Sequence, residues 1–229
     1  MPQITRHFLI LTVLLVAVNC ALGLGGSVRY HQFKTASQEG DAESWARASY
    51  NIVLDSLLPR GTVVREQFPK NVKWMVTVRI LPPFEEPEYR LSMHKAYDGK
   101  VEMSVIVAKG TSVLSQLRIL RKQNPSATLD KISGLISLDR WIVTQSEQPQ
   151  LSVLANEFEA ISLSPVLPDE FRVDETGYEF WSESLWGNRL NMTLGGPGSQ
   201  AKKQPHPLLQ WAEAVRKAAD RKRPTRLRS

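Results

Sequence analysis

Val72-Lys73-Trp74-Met75-Val76-Thr77-Val78-Arg79-Ile80 alternates without a break. Val72, Trp74, Val76, Val78 and Ile80 fall on one side, Lys73, Met75, Thr77 and Arg79 on the other. Successive side chains of an extended chain point to opposite faces, so this is a strand with one buried face. Pro82, Pro83 and Pro87 then interrupt it, since proline cannot donate to a ladder. Tyr89, Leu91 and Met93 resume the alternation against Arg90, Ser92 and His94, and Val101, Met103, Val105 and Val107 repeat it. A three-residue loop at 97–99 pairs Met93 with Met103, Leu91 with Val105, Tyr89 with Val107 and His94 with Glu102. A one-residue slip would exchange the faces, so the apolar pattern selects this register. It puts Gly99 where a type I turn with a bulge needs positive φ.

Outward from these strands the period changes. Asp41 to Leu58 reads as a helix with Trp45, Ala48, Ile52 and Leu57 on a loose stripe, ended by Pro59. Thr111 or Ser112 caps a second helix to Gln123, with Val113, Leu114, Leu117 and Leu120 inward. Residues 134–144 read as a strand. Pro149 opens a helix carrying Leu151, Leu154, Phe158 and Ile161 on one face. A second hairpin follows, with Phe180 opposite Met192, Tyr178 opposite Leu194, Trp181 opposite Asn191 and Glu183 opposite Arg189 around a loop at 185–187. Leu208, Trp211, Ala212, Val215 and Ala219 give the last helix an apolar face that ends before Pro224. The expected class is α+β, an antiparallel sheet of hairpins or a meander, with helices packed mainly on one face.

The N-terminus reads as an export signal. Arg6 precedes a run from Phe8 to Val18 that only Thr12 interrupts, and Ala21-Leu22-Gly23 supplies a small-residue cleavage site. The expected organisation is a signal peptide at 1–23, a linker at 24–40, one α+β domain at 41–223 and a basic tail at 224–229. An alternative is a retained anchor over residues 8–26, because no charge occurs between Phe8 and Val28. Cys20 is the single cysteine. Cleavage after Gly23 removes it, and thiol chemistry and disulfides with it. A disulfide-free exported domain fits a bacterial envelope better than a eukaryotic secretory pathway. The expected location is therefore the periplasm or the extracellular space.

Composition is that of an ordinary folded domain: 229 residues, 42% hydrophobic and 23% charged. The net charge of +6 is unevenly placed. Residues 201–229 hold nine Lys or Arg and two acids, while residues 157–183 hold eight acids and only Arg172. Arg221-Lys222-Arg223 and Arg226 could meet an anionic surface, or serve as a solvated helix end that complements the helix dipole. Nucleic-acid binders carry aromatics within a basic face. Here the aromatics lie in the neutral body, so no specific nucleic acid is expected, and a membrane only if the N-terminal run is uncleaved.

Few residues point to chemistry. Ser92-Met93-His94-Lys95 fits the S-x-x-K nucleophile pattern, but that pattern needs a helical turn. In a strand the two side chains leave opposite faces. No G-x-S-x-G, phosphate loop, G-x-G-x-x-G or H-E-x-x-H occurs. No cofactor or metal is expected. His94 opposite Glu102 is the one acid–base constellation, and cross-strand neighbours of this kind are also ordinary sheet partners. Asn191-Met192-Thr193 is a glycosylation sequon, relevant only in a eukaryotic secretory pathway. Trp181 between Glu179 and Glu183, and Trp186 near the hairpin tip, are the candidate binding residues. An exposed indole beside acids suits a cationic or sugar-like ligand or a partner protein; a covered one is core.

Tyr178-Glu179-Phe180-Trp181-Ser182-Glu183-Ser184 and His206-Pro207-Leu208-Leu209-Gln210-Trp211-Ala212 resemble small exported bacterial proteins of unknown function, which share a Tyr-x-x-Trp strand and a His-Pro-Leu-x-x-Trp helix. The resemblance covers the last third of the chain. It implies that both elements belong to one folding unit, and no activity or site residue. The reading is an exported, non-enzymatic binding or interaction protein, its partner an envelope protein or an anionic surface. The alternatives are a hydrolase using His94 and Glu102, and an anionic-surface binder using the tail.

Overall fold

Six strands form one antiparallel sheet in the computed structural model, which describes residues 42–61, 70–83, 85–161, 176–184, 189–195 and 206–224. They are β1 (Val72–Leu81), β2 (Tyr89–Ala96), β3 (Val101–Ala108), β4 (Leu138–Thr144), β5 (Gly177–Ser184) and β6 (Arg189–Gly195), in the order β4-β3-β2-β1-β5-β6. The helices are α1 (Ala42–Leu57), α2 (Val113–Gln123), α3 (Leu129–Ser133), α4 (Gln150–Ala160) and α5 (Pro207–Arg221). The α+β class and the antiparallel meander are those read from the alternation.

Both hairpins take the register that the apolar pattern selects. Met93 lies opposite Met103 and His94 opposite Glu102. Phe180 lies opposite Met192 and Trp181 opposite Asn191. Gly99 has φ 85°, the left-handed conformation the turn requires. The loop at 185–187, Trp186 included, lies outside the described residues.

The first face of the sheet is apolar from β4 to β5. Val76, Val78, Leu91, Met93, Met103, Val105, Val143 and Phe180 are buried there, under Leu151, Leu154 and Ala155 of α4 and Leu208, Trp211, Ala212 and Val215 of α5. Each such large side chain contributes roughly 1.5–3 kcal/mol by leaving water. α5 starts with Pro207 in its first turn, and His206 Nδ1 accepts from Leu208 N at 3.2 Å.

A second apolar cluster lies on the opposite face, at one end. Ala46, Val53 and Leu54 of α1, Val113 and Leu117 of α2, and Ile132 of α3 gather against Ala108, with Leu81, Ile106 and Leu138 packed beside them. The helices therefore divide between the faces. The expectation of helices mainly on one face holds only for the pair over the broad core. α2 is placed by two caps: Ser112 Oγ accepts from Ser115 N at 3.1 Å, and Glu88 Oε2 accepts from Val113 N at 2.8 Å.

Residues 134–144 need a correction. The strand starts only at Leu138, and Leu129–Ser133 form a short helix capped by Thr128 Oγ1, which accepts from Lys131 N. Ile132 and Ile136 belong to the second cluster, whereas Trp141 and Val143 belong to the first. One apolar run serves two cores, and so it fits neither period.

Gly61 sits against the sheet where a side chain has no room. A Cβ there would come within 2.8 Å of Thr77 Cβ and Oγ1 and 3.3 Å of Trp181 Cβ. Gly61→Ala is expected to cost about 1–3 kcal/mol through overpacking, read as a lower urea midpoint at unchanged slope. A loss under about 0.5 kcal/mol, the usual surface range, would show that the contact gives way freely.

Candidate functional site

The second face is ordered in rows that cross the sheet. The register places Arg140, Ile106, Arg90, Arg79, Glu179 and Thr193 in the first row. The second row is Ile142, Ser104, Ser92, Thr77, Trp181 and Asn191. The third is Thr144, Glu102, His94 and Met75, continued by backbone positions 183 and 189.

The first row lies beside α1, and Arg79 is its centre. This residue is only 1% exposed. Its Nε donates to Glu179 Oε2 at 2.7 Å, Nη1 donates to Asp55 Oδ1 and to Leu58 O, and Nη2 pairs with Glu179. A buried cation is tolerable only when its donors are met and its charge is balanced; both conditions hold here. A second buried polar contact lies nearby. Tyr50 Oη donates to Glu88 Oε1 at 2.9 Å. Burial pushes the Glu88 carboxyl upward, against hydrogen bonds from Val113 N and Tyr50 that pull it down. Glu88 thereby ties α1, the start of β2 and the start of α2 together.

Trp181 is 8% exposed. The guanidinium of Arg79 lies 5.4 Å and that of Arg60 5.9 Å from its ring centroid. The indole thus holds cations of its own chain, and its place is beneath them rather than open beside two acids. Trp186, the other candidate, lies outside the described residues.

His94 and Glu102 do stand side by side on β2 and β3, both half-buried. Among the described residues no hydrogen bond or ion pair joins them, and neither side chain has another such partner. A general base of the triad type is oriented by a hydrogen bond to a third group; among the described residues His94 has none. The S-x-x-K residues separate as the strand geometry requires. Ser92 Oγ shares a buried 2.8 Å hydrogen bond with Thr77 Oγ1 on the second face. Lys95 Nζ reaches Asn156 Oδ1 at 2.9 Å and Glu159 Oε2 at 2.7 Å, both on α4.

Glu159 also accepts from Lys73 Nζ at 2.8 Å and from Trp74 Nε1 at 2.9 Å. Burial works against its charge, but the donors from Lys73, Lys95 and Trp74 outweigh it and hold the carboxyl at about 2. A carboxyl depressed by folding adds stability above its unfolded value of about 4.5 and loses it as pH falls through the folded value. Between pH 4.5 and 2 the wild type is therefore expected to lose stability that Glu159→Gln does not lose. Parallel acid unfolding curves for the two proteins would contradict this.

The basic run at the C-terminus begins folded back. Arg223 pairs with the buried Asp139, and its guanidinium lies 5.8 Å from the centre of the Trp141 ring. Arg221 Nη1 donates to Gln150 Oε1 at 3.2 Å. Arg226 and Arg228 lie outside the described residues.

What remains of the second face is the part beyond the helices. Ser104, His94 and Glu102 are half-buried there, Asn191 and Thr193 are exposed, and Ile142 is 59% exposed. Among the described residues no group of three His, Cys, Asp or Glu side chains could hold a metal ion. None of the described helices is long and apolar enough to cross a membrane. Comparison with protein-family models, with curated proteins and with solved structures finds no match to the chain.

Sequence reasoning missed the Arg79 cluster and the Asp139–Arg223 pair. Arg79 looked like one of four solvent-facing residues of β1. Only the pairing of β1 with β5, a hundred residues on, brings Glu179 to it.

Proposed function

We propose that this protein is an exported, non-enzymatic binding protein of the bacterial envelope. Its ligand surface is the uncovered part of the second sheet face, around Ser104, His94, Glu102 and Ile142. One observation carries this reading: polar side chains and an exposed isoleucine share a sheet floor backed by a fully packed core, yet the acid and the base among them are not bonded to each other. Groups held on rigid strands and left, among the described residues, without side-chain partners suit recognition of a ligand. The same lack of an orienting bond weighs against the hydrolase. The N-terminal run, the small-residue cleavage site and the resemblance in the last third support export.

Two measurements test the reading. Expression of the full chain, cell fractionation and intact mass are expected to give a periplasmic or secreted product beginning at Leu24. An uncut membrane-bound product would instead make the N-terminal run an anchor, and a full-length cytosolic one would end the export proposal. An extract of envelope small molecules is then expected to shift the backbone NMR signals of Ser104 and Ile142, and to leave that of Ile142 unmoved in Ser104→Arg. His94→Ala is expected to fold as the wild type does, within about 0.5 kcal/mol. Loss of a hydrolytic activity in that folded variant would favour the enzyme.

A further inference from the structure

Arg79, Arg90 and Arg140 share the first row of the second face, on β1, β2 and β4, with Ile106 of β3 between the last two. Their charges are unequally met. Arg79 spends its donors on Glu179, Asp55 and the Leu58 carbonyl. Arg90 is half-buried, and its one side-chain hydrogen bond among the described residues runs from Nε to the neutral Pro59 carbonyl at 2.8 Å. Arg140 is exposed and makes none among the described residues. Glu88 precedes Arg90 by two residues, but its oxygens are committed to Tyr50 Oη and Val113 N. Burial lowers the Arg90 pKa, and the charges that act with it, those of Arg140 and Arg79, are both positive.

A partly desolvated cation with cationic neighbours raises the energy of the fold unless an anion joins it. Guanidinium groups present paired N–H donors whose spacing matches two oxygens of a carboxylate or phosphate. Ser104 precedes Ile106 by two residues on the same face of β3, between the strands that carry Arg140 and Arg90.

We propose that Arg90 and Arg140 form an anion-binding subsite that takes a carboxylate or phosphate group of the ligand on the Ser104 side of their row, with the Ser104 hydroxyl as a neighbouring donor. The subsite rests on the reading of this face as the ligand surface, and it gives that ligand a charge.

The test is a titration of the full exported chain, followed by the arginine Nε–Hε NMR signals, with inorganic phosphate and with acetate, each against chloride at equal ionic strength. The Arg90 and Arg140 signals are expected to move together and saturate at millimolar concentration, while those of Arg47 and Arg121 do not. The tighter of the two anions identifies the group. Arg90→Gln and Arg140→Gln are each expected to weaken binding at least tenfold while thermal unfolding confirms that they fold. Shifts no larger than chloride gives, or equal shifts at all four arginines, would overturn the subsite. If the anions fail but the envelope extract still moves Ser104 and Ile142, the subsite falls and the binding surface stands. If the extract fails too, both fall.

Discussion

Replacing Arg79 by alanine is expected to lower folding stability by about 3–5 kcal/mol, the usual cost of removing one member of a buried ion pair. The guanidinium is the hub of its surroundings. It binds Glu179 on β5, Asp55 on α1 and the carbonyl that closes α1, and it lies over the Trp181 ring. Without it the Glu179 carboxylate faces a low-dielectric site with no counter-charge, and α1 loses one of its polar attachments to the sheet. Urea unfolding at neutral pH measures the loss. Arg79→Lys keeps the charge but cannot reach three acceptors in one plane, so an intermediate loss is expected. Arg79→Met, with apolar bulk and no charge, separates packing from electrostatics. If it unfolds at the wild-type midpoint, the ion cluster adds no net stability and Arg79 acts only as filler.

A loss of similar size, about 3–5 kcal/mol, is expected for Trp211→Ala on the other face. The Trp211 ring lies 4.9 Å from that of Phe158, which lies 5.2 Å from that of Trp74. The three rings run from α5 through α4 to β1. The indole Nε1 also donates to the Leu154 carbonyl at 2.7 Å, in a buried contact between the helices. Alanine removes the ring, its contacts and that bond at once. Trp211→Phe keeps most of the ring and gives up the hydrogen bond, worth about 1 kcal/mol. Thermal unfolding of the pair measures both. Equal losses in the two variants would place the effect in the hydrogen bond rather than in the ring.

The hairpins were legible in the sequence because each is local. Alternation decides which face is buried, and a slip by one residue would bury His94 and expose Met93, so the register had one good answer. What could not be read was everything that joins distant segments. β5 pairs with β1 through Val78 and Phe180, which any other apolar strand could also do. The three helices on the second face depend on Ile106 and Leu138, which look like ordinary outward residues of their strands. The candidate site divides in the same way. That His94 meets Glu102 was legible from the register; that no bond follows was not, because side-chain torsions are outside the pattern. Trp181 could not be placed, since the groups that cover it, Arg60 and Arg79, belong to segments a hundred residues earlier. The anionic preference proposed for Arg90 and Arg140 was equally hidden, since it needs β2 and β4 to be neighbours of the same third strand.

The order β4-β3-β2-β1-β5-β6 also sets a timetable. β1 to β4 pair with sequence neighbours, so their meander can assemble as soon as residue 144 is available. The free edge of β1 then waits for β5, whose residues 177–184 close on residues 74–81. Contacts so far apart in the chain form slowly, and a bare strand edge invites pairing with another molecule in the meantime. A chain that leaves the cell threaded from its N-terminus would emerge with the inner edge of its sheet unsealed, and the last segment to arrive would be the one that shuts it.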